Sequence, residues 1–409
     1  MKNTSYPKQK IKILLLENIS PKAVQAFENA GYATVKQIAG ALSEKELIKA
    51  VKDVHIIGIR SKTQLTATVL ANAPKLLSVG CFCIGTNQVD MKAAKENGVA
   101  VFNAPYSNTR SVAELVMGLM IMLIRKVTDK NTAAHQGKWM KDAKGSFELR
   151  GKTIGIIGYG NIGSQISVLS EAFGMKVLFY DTERKLPVGN AQSVTKLVDV
   201  LKQADIVTLH VPSDKTTRNL MNATTFAQMK KGAIFINYSR GDVVDLAALK
   251  KQIEKGVIAG AAIDVFPDEP EKNGDPFSTP LQGLPNVILT PHIGGSTEEA
   301  QINIGEDVAD KLLSYLETGS SYGSHSIPAI NPGILEGAHR ILHIHQNIPG
   351  VLGEINTKLS SKNINILGQS LKTNEAIGYV VLDIDSKLSK AALELLKQVK
   401  GTIKTRILY

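Results

Sequence analysis

Three residues of chemically useful type stand at or just beyond the ends of apolar, strand-like runs: Arg240 after "AIFINYS", Glu269 after "AGAAIDVFPD" and His292 at the end of "NVILTP". Ligands of open α/β sheets collect at the C-terminal ends of strands, so separate strands can bring these groups to one site. The set suits oxidation of a secondary alcohol that lies beside a carboxylate. The Arg240 guanidinium can hold the carboxylate bidentately and polarise the developing carbonyl. His292 can accept the hydroxyl proton as a hydride leaves for a nicotinamide, and Glu269 can orient the imidazole and raise its pKa. Singly, each is an ordinary surface or structural residue; jointly, behind a cofactor motif, they read as catalytic.

That motif is "TIGIIGYGNIG", with GxGxxG at Gly158, Gly160 and Gly163, preceded by a buried-strand pattern and opening a helix. "VLFYD" then ends in Asp181, 23 positions after Gly158. Gly158 permits the tight turn, Gly160 lets the backbone approach a pyrophosphate, and Gly163 lets the helix pack on the strand. The helix N-terminus offers free N–H groups to phosphates. Asp181 would accept from the adenosine ribose hydroxyls and repel a 2′-phosphate, which favours NAD over NADP, although Arg184 and Lys185 stand close by.

These groups need a scaffold, and the patterning supplies one. From residue 11 to about 104, runs such as "IKILLLE", "VHIIGIRS" and "VAVFNAP" alternate with helix-like segments, the signature of a parallel sheet covered by helices. A longer α/β series of six strand-like runs starts at Gly151 and suits a doubly wound fold. The helix-like stretch 109–126 bridges the two, and "EEAQINIGEDVADKLLSYLETG" returns to the first domain, two crossings that would build a hinged cleft. Residues 317–336, rich in Gly, Ser and Pro, read as a linker. Beyond it the order βαββαβ predicts a ferredoxin-like domain. The expected boundaries are 1–108, 109–295, a return and linker over 296–330, and 337–409.

Composition excludes other classes. The 409 residues are 43% hydrophobic, enough for a large core of two to four domains. The net charge of +11 comes from scattered lysines, and with 5% aromatic residues no basic run interleaves with stacking side chains, so nucleic acid is not an expected partner. The most apolar stretch, "SVAELVMGLMIMLIRK", is too short and too charged to span a membrane, and the N-terminus lacks the apolar core of a signal peptide, so a cytoplasmic location is expected. Cys81 and Cys83, two apart in an apolar run, would point the same way in a strand and are not expected to pair with each other; without further ligands they suggest no metal.

The segments "GIIGYGNIG", "NYSRGDVVD", "AAIDVFPDEP" and "TPHIGGST" resemble the signatures of the D-isomer-specific 2-hydroxyacid dehydrogenases, and the C-terminal domain resembles an ACT domain. "RSKT" at 60–63 and "SNTRSVAE" at 107–114 are similar to the phosphoglycerate-oxidising members. The resemblance implies a Rossmann-type NAD domain, a flavodoxin-like substrate domain, and a catalytic set of Arg240, Glu269 and His292. It implies Asp264 near the nicotinamide carboxamide, with Asn161, Ile162, Asp181, Tyr238, Ser239, Arg240 and the run from His292 through Ile293, Gly294 and Gly295 lining NAD. Arg60, Ser61, Asn108, Arg240 and Gln301 would hold the substrate. The expected reaction is oxidation of 3-phospho-D-glycerate to 3-phosphohydroxypyruvate, the first step of L-serine synthesis, with reduction of 2-oxoglutarate as a side activity. The rivals are another D-2-hydroxyacid and, from a different class, an NAD(H)-sensing corepressor, which would need neither a sensor domain nor the Arg60 and Asn108 pair.

One stretch stays outside this scheme. "HIHQNIPGVL", His343 to Leu352, places His343 and His345 on one strand face just before a helix opened by Pro349 and Gly350. No acidic residue or cysteine lies nearby to complete a metal shell. The helix start suits the carboxylate of a small zwitterion. Similarity to serine-sensitive ACT domains points to His345, Asn347 and Asn365 as contacts for L-serine in a homo-oligomer, with a tetramer favoured, and to His343 as a structural neighbour.

Overall fold

A computed structural model describes residues 7–270, 274–334 and 337–408. Leu335 and Glu336 of the expected linker, and Tyr409 of the last expected strand, lie outside the described residues. The chain forms two compact units, Met1–Ser107 with Gln301–Tyr409, and Asn108–Ala300.

In the first unit β1 (Ile13–Leu16), β2 (Val35–Ile38), β3 (Ile56–Ile59), β4 (Ser78–Cys81) and β5 (Ala100–Asn103) form a parallel sheet in the order β2-β1-β3-β4-β5. This is the flavodoxin-like order, and the strand order reverses between β1 and β3. Every residue of β1, β3, β4 and β5 is buried, because both faces are covered, which is why these strands are unbroken apolar runs in the sequence. Leu14, Ile57, Val79 and Val101 fill one face; Ile13, Ile56 and Phe102 fill the other with Val308 and Leu312 of the helix Glu298–Thr318.

The second unit holds seven parallel strands: β6 (Thr153–Ile157), β7 (Lys176–Tyr180), β8 (Gln192–Ser193), β9 (Ile206–Leu209), β10 (Ala233–Asn237), β11 (Ile258–Ile263) and β12 (Val287–Leu289). Their order is β12-β11-β10-β9-β6-β7-β8. The six expected strands are present, and the seventh, β8, is a two-residue edge strand too short to leave a sequence pattern. Separate apolar cores cover the two faces, one built with the helices Thr109–Ile124 and Asn161–Ala172, the other with Leu197–Gln203 and Leu246–Glu254. The order reverses between β6 and β9, the point at which a doubly wound sheet binds its ligand.

The C-terminal part of the first unit is an antiparallel sheet of β13 (His339–Gln346), β14 (Ile366–Thr373), β15 (Ile377–Ile384) and β16 (Thr402–Leu408), in the order β14-β15-β13-β16. Helices Val351–Ser360 and Ser389–Lys397 cover one face through Ile355, Leu359 and Leu396. The other face joins the core of the flavodoxin-like half: Leu342, Ile344, Tyr379 and Leu408 pack with Phe102, Tyr315 and Leu316. Polar contacts follow the same seam. Tyr379 donates its hydroxyl to Gly319 O at 2.6 Å, Lys404 Nζ donates to Leu76 O at 2.6 Å, and Arg340, 1% exposed, reaches Thr318 O at 2.9 Å while paired with Asp383.

The described part of 317–336 differs from the expected free spacer. The first residues complete the helix Glu298–Thr318, and those after it line the edge strand β5. His325 N donates to Val101 O at 2.8 Å, and Ser326 Oγ donates to Val99 O at 2.7 Å while accepting from Val101 N at 2.9 Å. An edge strand must find partners for its outer N–H and C=O groups, and this segment provides them. Of its serines, Ser326 meets the strand through its hydroxyl, whereas Ser321 bonds within the segment, to Pro328 O and Ile330 N.

Candidate active site

Residues from the ends of β10, β11 and β12 surround an open pocket of about 400 Å³ lined by Ser213, Arg240, Asp242, Phe266, Glu269 and His292, among others. Within it His292 Nδ1 lies 2.8 Å from Glu269 Oε2, and Glu269 Oε1 accepts from Phe266 N at 3.0 Å. The hydrogen bond donated to Glu269, outweighing partial burial, lifts the His292 pKa above the usual imidazole value. Burial pushes the Glu269 carboxyl up, but the bonds from His292 and the Phe266 N–H more than offset it and leave Glu269 below the usual carboxyl range. With Nδ1 engaged by the carboxyl, the neutral ring carries its lone pair on Nε2. Arg240 lies exposed in the same pocket, its Nη1 donating to Ser239 O at 2.7 Å, and Asn237 Nδ2 holds the Arg240 carbonyl at 3.0 Å.

His292 has φ 54°, a left-handed backbone that a non-glycine residue adopts only where its surroundings impose it. Asp264, 2% exposed, imposes it. Its oxygens accept from Ile293 N at 2.9 Å, Gly294 N at 2.8 Å and Thr290 Oγ1 at 2.6 Å, and its carbonyl accepts from His292 N at 2.8 Å. Because the single Thr290 proton goes to Asp264, the 2.6 Å contact with Tyr238 has the tyrosine as donor. Tyr238, Thr290 and Asp264 thus form one chain beneath the histidine. Thr290 and Asn237 carried no motif signal; only their strand-end positions hinted at them.

The dinucleotide fingerprint follows β6. Gly158 has φ +91°, and a Cβ there would meet His210 O at 2.6 Å; a Cβ on Gly163 would meet Gly158 O at 2.3 Å. A Cβ on Gly160 meets nothing within 4 Å, so this glycine faces open space at the start of the helix Asn161–Ala172. The first N–H groups of that helix, at Asn161, Ile162 and Gly163, have no partner one turn back. Asp181 accepts from Tyr159 N at 2.8 Å and Glu183 N at 2.9 Å, which fixes its carboxyl against the fingerprint turn. Lys185 is paired with Glu183 at 2.5 Å. This cradle fits a dinucleotide.

The expected substrate residues fall in both units: Arg60, Ser61 and Gln301 in the first, Asn108 and Arg240 in the second. Asn108 precedes the helix Thr109–Ile124 and packs so closely on Gly295 that a Cβ there would lie 2.0 Å from its Nδ2, while its buried Oδ1 has no hydrogen-bond partner among the described residues.

In the C-terminal sheet His343 and His345 share a face, 0% and 3% exposed, with their Nδ1 atoms 3.3 Å apart. Thr402 donates its hydroxyl to Val399 O at 2.7 Å, so it accepts from His343 Nε2 at 2.9 Å. His343 Nδ1 is then an acceptor, His345 donates through Nδ1, and the His345 lone pair sits on Nε2. The His345 ring lies over Gly378, where a Cβ would meet Nε2 at 2.3 Å. Asn347 is exposed and donates to Asn374 O at 2.8 Å; Asn365 is exposed just before β14. Among the described residues no cluster of three or more His, Cys, Asp or Glu is arranged to hold a metal, and no helix is long and apolar enough to cross a membrane.

Residues 117–294 match the model of the D-isomer specific 2-hydroxyacid dehydrogenase NAD-binding domain, and 341–404 match that of the AHAS small subunit-like ACT domain. The chain belongs to the D-isomer specific 2-hydroxyacid dehydrogenase family and is an NAD-dependent oxidoreductase. It is 51% identical over 99% of both chains to D-3-phosphoglycerate dehydrogenase of Haemophilus influenzae, and 50% identical over 100% of both to that of Escherichia coli K12. The crystal structure of a D-lactate dehydrogenase from Aquifex aeolicus, complexed with NAD and lactic acid, matches with a TM-score of 0.64 at 26% identity, covering 78% of this chain and all of that one.

Proposed function

We propose that this enzyme oxidises 3-phospho-D-glycerate to 3-phosphohydroxypyruvate in the cytoplasm. The observation that carries the reading is the pocket of Arg240, Glu269 and His292, in a chain whose full-length relatives bear the name D-3-phosphoglycerate dehydrogenase. NAD, when bound, supplies the hydride acceptor. The glycine turn and the helix start at Asn161 would hold its phosphates, Asp181 its adenosine ribose, and the run from Tyr238 to Arg240 with Asp264 and residues 292–295 its nicotinamide end. Arg240 holds the substrate carboxylate by its guanidinium fork and draws electron density from the forming carbonyl. His292 Nε2 accepts the hydroxyl proton, and Glu269 steadies the imidazolium that results. Arg60, Ser61, Asn108 and Gln301 hold the remaining polar groups, with Arg60 on the phosphate.

The ACT domain takes L-serine at His345, Asn347 and Asn365 within a homotetramer. His345 Nε2, with its lone pair fixed by the Thr402–His343 chain, accepts from the effector's ammonium or hydroxyl. A coupling of about 1 to 3 kcal/mol between the sites would make serine an effective inhibitor.

Absorbance of NADH formed by the purified protein tests both parts. The kcat/KM for 3-phospho-D-glycerate is expected to exceed those for D-lactate and D-glycerate by at least about 100-fold, since a site built for a charged group rejects analogues that lack it. Equal values would defeat the substrate assignment. Titration with L-serine then tests inhibition, and NADH loss with 2-oxoglutarate tests the side activity.

A further inference from the structure

We propose that Glu17 is a positioning residue that shapes the 60–63 loop and so aims Arg60 at the substrate's phosphate. The proposal rests on the reading of Arg60 as the phosphate ligand. Glu17 directly follows β1, and Arg60 directly follows β3, its neighbour in the sheet. Both therefore stand at the carboxyl ends of the two strands between which the strand order reverses, the place where a sheet of this order takes its ligand.

Glu17 is 8% exposed, and its carboxyl accepts three backbone N–H groups from across the sheet. Oε1 takes Arg60 N at 3.1 Å and Thr63 N at 2.8 Å, and Oε2 takes Lys62 N at 3.0 Å. Gln88 secures the opposite side of the same residue, its Nε2 donating to Arg60 O at 2.7 Å. The loop backbone is thus clamped from both sides. The Arg60 side chain, half-buried, makes no hydrogen bond or ion pair among the described residues, so its guanidinium is left for an anion.

Two further features mark the carboxyl as a built device. Glu17 has φ 63°, a left-handed backbone uncommon for a residue other than glycine or asparagine, and Asn18 continues the turn at φ 51°. A buried negative group close to an anion site would also repel the substrate, unless its oxygens were already engaged; here both oxygens are occupied by the loop's own N–H groups. Neighbouring N–H groups that converge in a loop attract anions, and Glu17 fills that position from within so that the ligand meets the guanidinium instead.

The chemistry requires a carboxylate. Glutamine has the same size but only one acceptor oxygen, and its amide would set N–H against N–H on one side of the clamp. The test compares the full-length wild type with Glu17→Gln, Gln88→Met and Arg60→Ala, measuring kcat and KM for 3-phospho-D-glycerate and for D-glycerate, competitive inhibition by inorganic phosphate, and Tm. Glu17→Gln is expected to raise KM for the phosphorylated substrate about tenfold or more, the scale of a lost hydrogen bond to a charged group. It should weaken inhibition by phosphate in parallel, with kcat within about twofold of wild type and KM for D-glycerate unchanged. A folded Glu17→Gln enzyme with wild-type KM, beside an Arg60→Ala enzyme that shows the phosphate-selective loss, would overturn the role of Glu17 and spare that of Arg60. An Arg60→Ala enzyme without that loss would overturn both. If Glu17→Gln does not fold, Gln88→Met, which frees Arg60 from the other side, must show the same selective rise; a wild-type KM there overturns the proposal.

Discussion

Glu269 Oε2 sits 2.8 Å from His292 Nδ1, and the pair displaces both groups' titrations in opposite directions, the imidazole upward and the carboxyl downward. The acid that orients the base also sets the pH at which the base works.

Oxidation needs the unprotonated imidazole, so kcat/KM for the hydroxyacid should rise with pH through the elevated pKa of His292. In Glu269→Gln the support is gone, and the acid limb should move to lower pH. The plateau should fall about 10- to 100-fold as stabilisation of the imidazolium is lost. A pH–rate profile of the variant that keeps the wild-type limb would separate the two residues functionally.

Thr290→Val removes the middle link between Tyr238 and Asp264. The tyrosine hydroxyl loses its acceptor, and Asp264 Oδ1 keeps only the Ile293 N–H, in a buried site, a cost of about 1–3 kcal/mol seen as a lower Tm. The loop that carries His292 also loosens, so kcat should fall several-fold, on the scale of about 1 kcal/mol in the barrier, with KM for the hydroxyacid little changed.

Burial, and then the neighbouring His345, push the His343 pKa down to about 4. An unfolded imidazole titrates near 6.5. Between those values the unfolded chain binds more protons than the folded one, so stability falls as the pH drops from 6.5 towards 4. His343→Gln, which keeps a polar side chain without the titration, should flatten the fall in Tm between pH 7.5 and 5 relative to wild type.

Gly378→Ala places a methyl group 2.3 Å from the present position of His345 Nε2 and must displace the ring. Serine should then inhibit at least about tenfold more weakly, the loss expected for one hydrogen bond to a charged ligand, while kcat without serine stays at the wild-type value. Unaltered inhibition would remove His345 from the effector site.

The residues most readable in the sequence are those whose neighbours along the chain already define their setting. Gly158, Gly160, Gly163 and Asp181 lie within one βαβ unit, and their spacing encodes a turn, a helix start and a strand end together. Arg240, Glu269 and His292 were legible as a group because parallel strands all present their carboxyl ends on one side. Glu17, Gln88 and Thr402 were not, since each acts across strands or loops far apart in sequence, and nothing local marks a glutamate after "ILLL" as the clamp of a loop more than 40 residues on. The shared face of His343 and His345 followed from strand alternation, whereas their burial depends on what packs over the strand. The segment around His325 and Ser326 was misread for a related reason: an edge strand's need for partners has no signature in the segment that meets it.

The seam along Leu342, Ile344, Tyr379 and Leu408 bears on how this chain can be taken apart. A catalytic fragment ending before β13 would bare Tyr315, Leu316 and Phe102 to water and strip the donors from the Thr318 and Gly319 carbonyls. The ACT domain and the catalytic part therefore do not behave as interchangeable cassettes. A transplanted ACT domain would have to carry a matching underside, and natural exchange of such domains is constrained at that face.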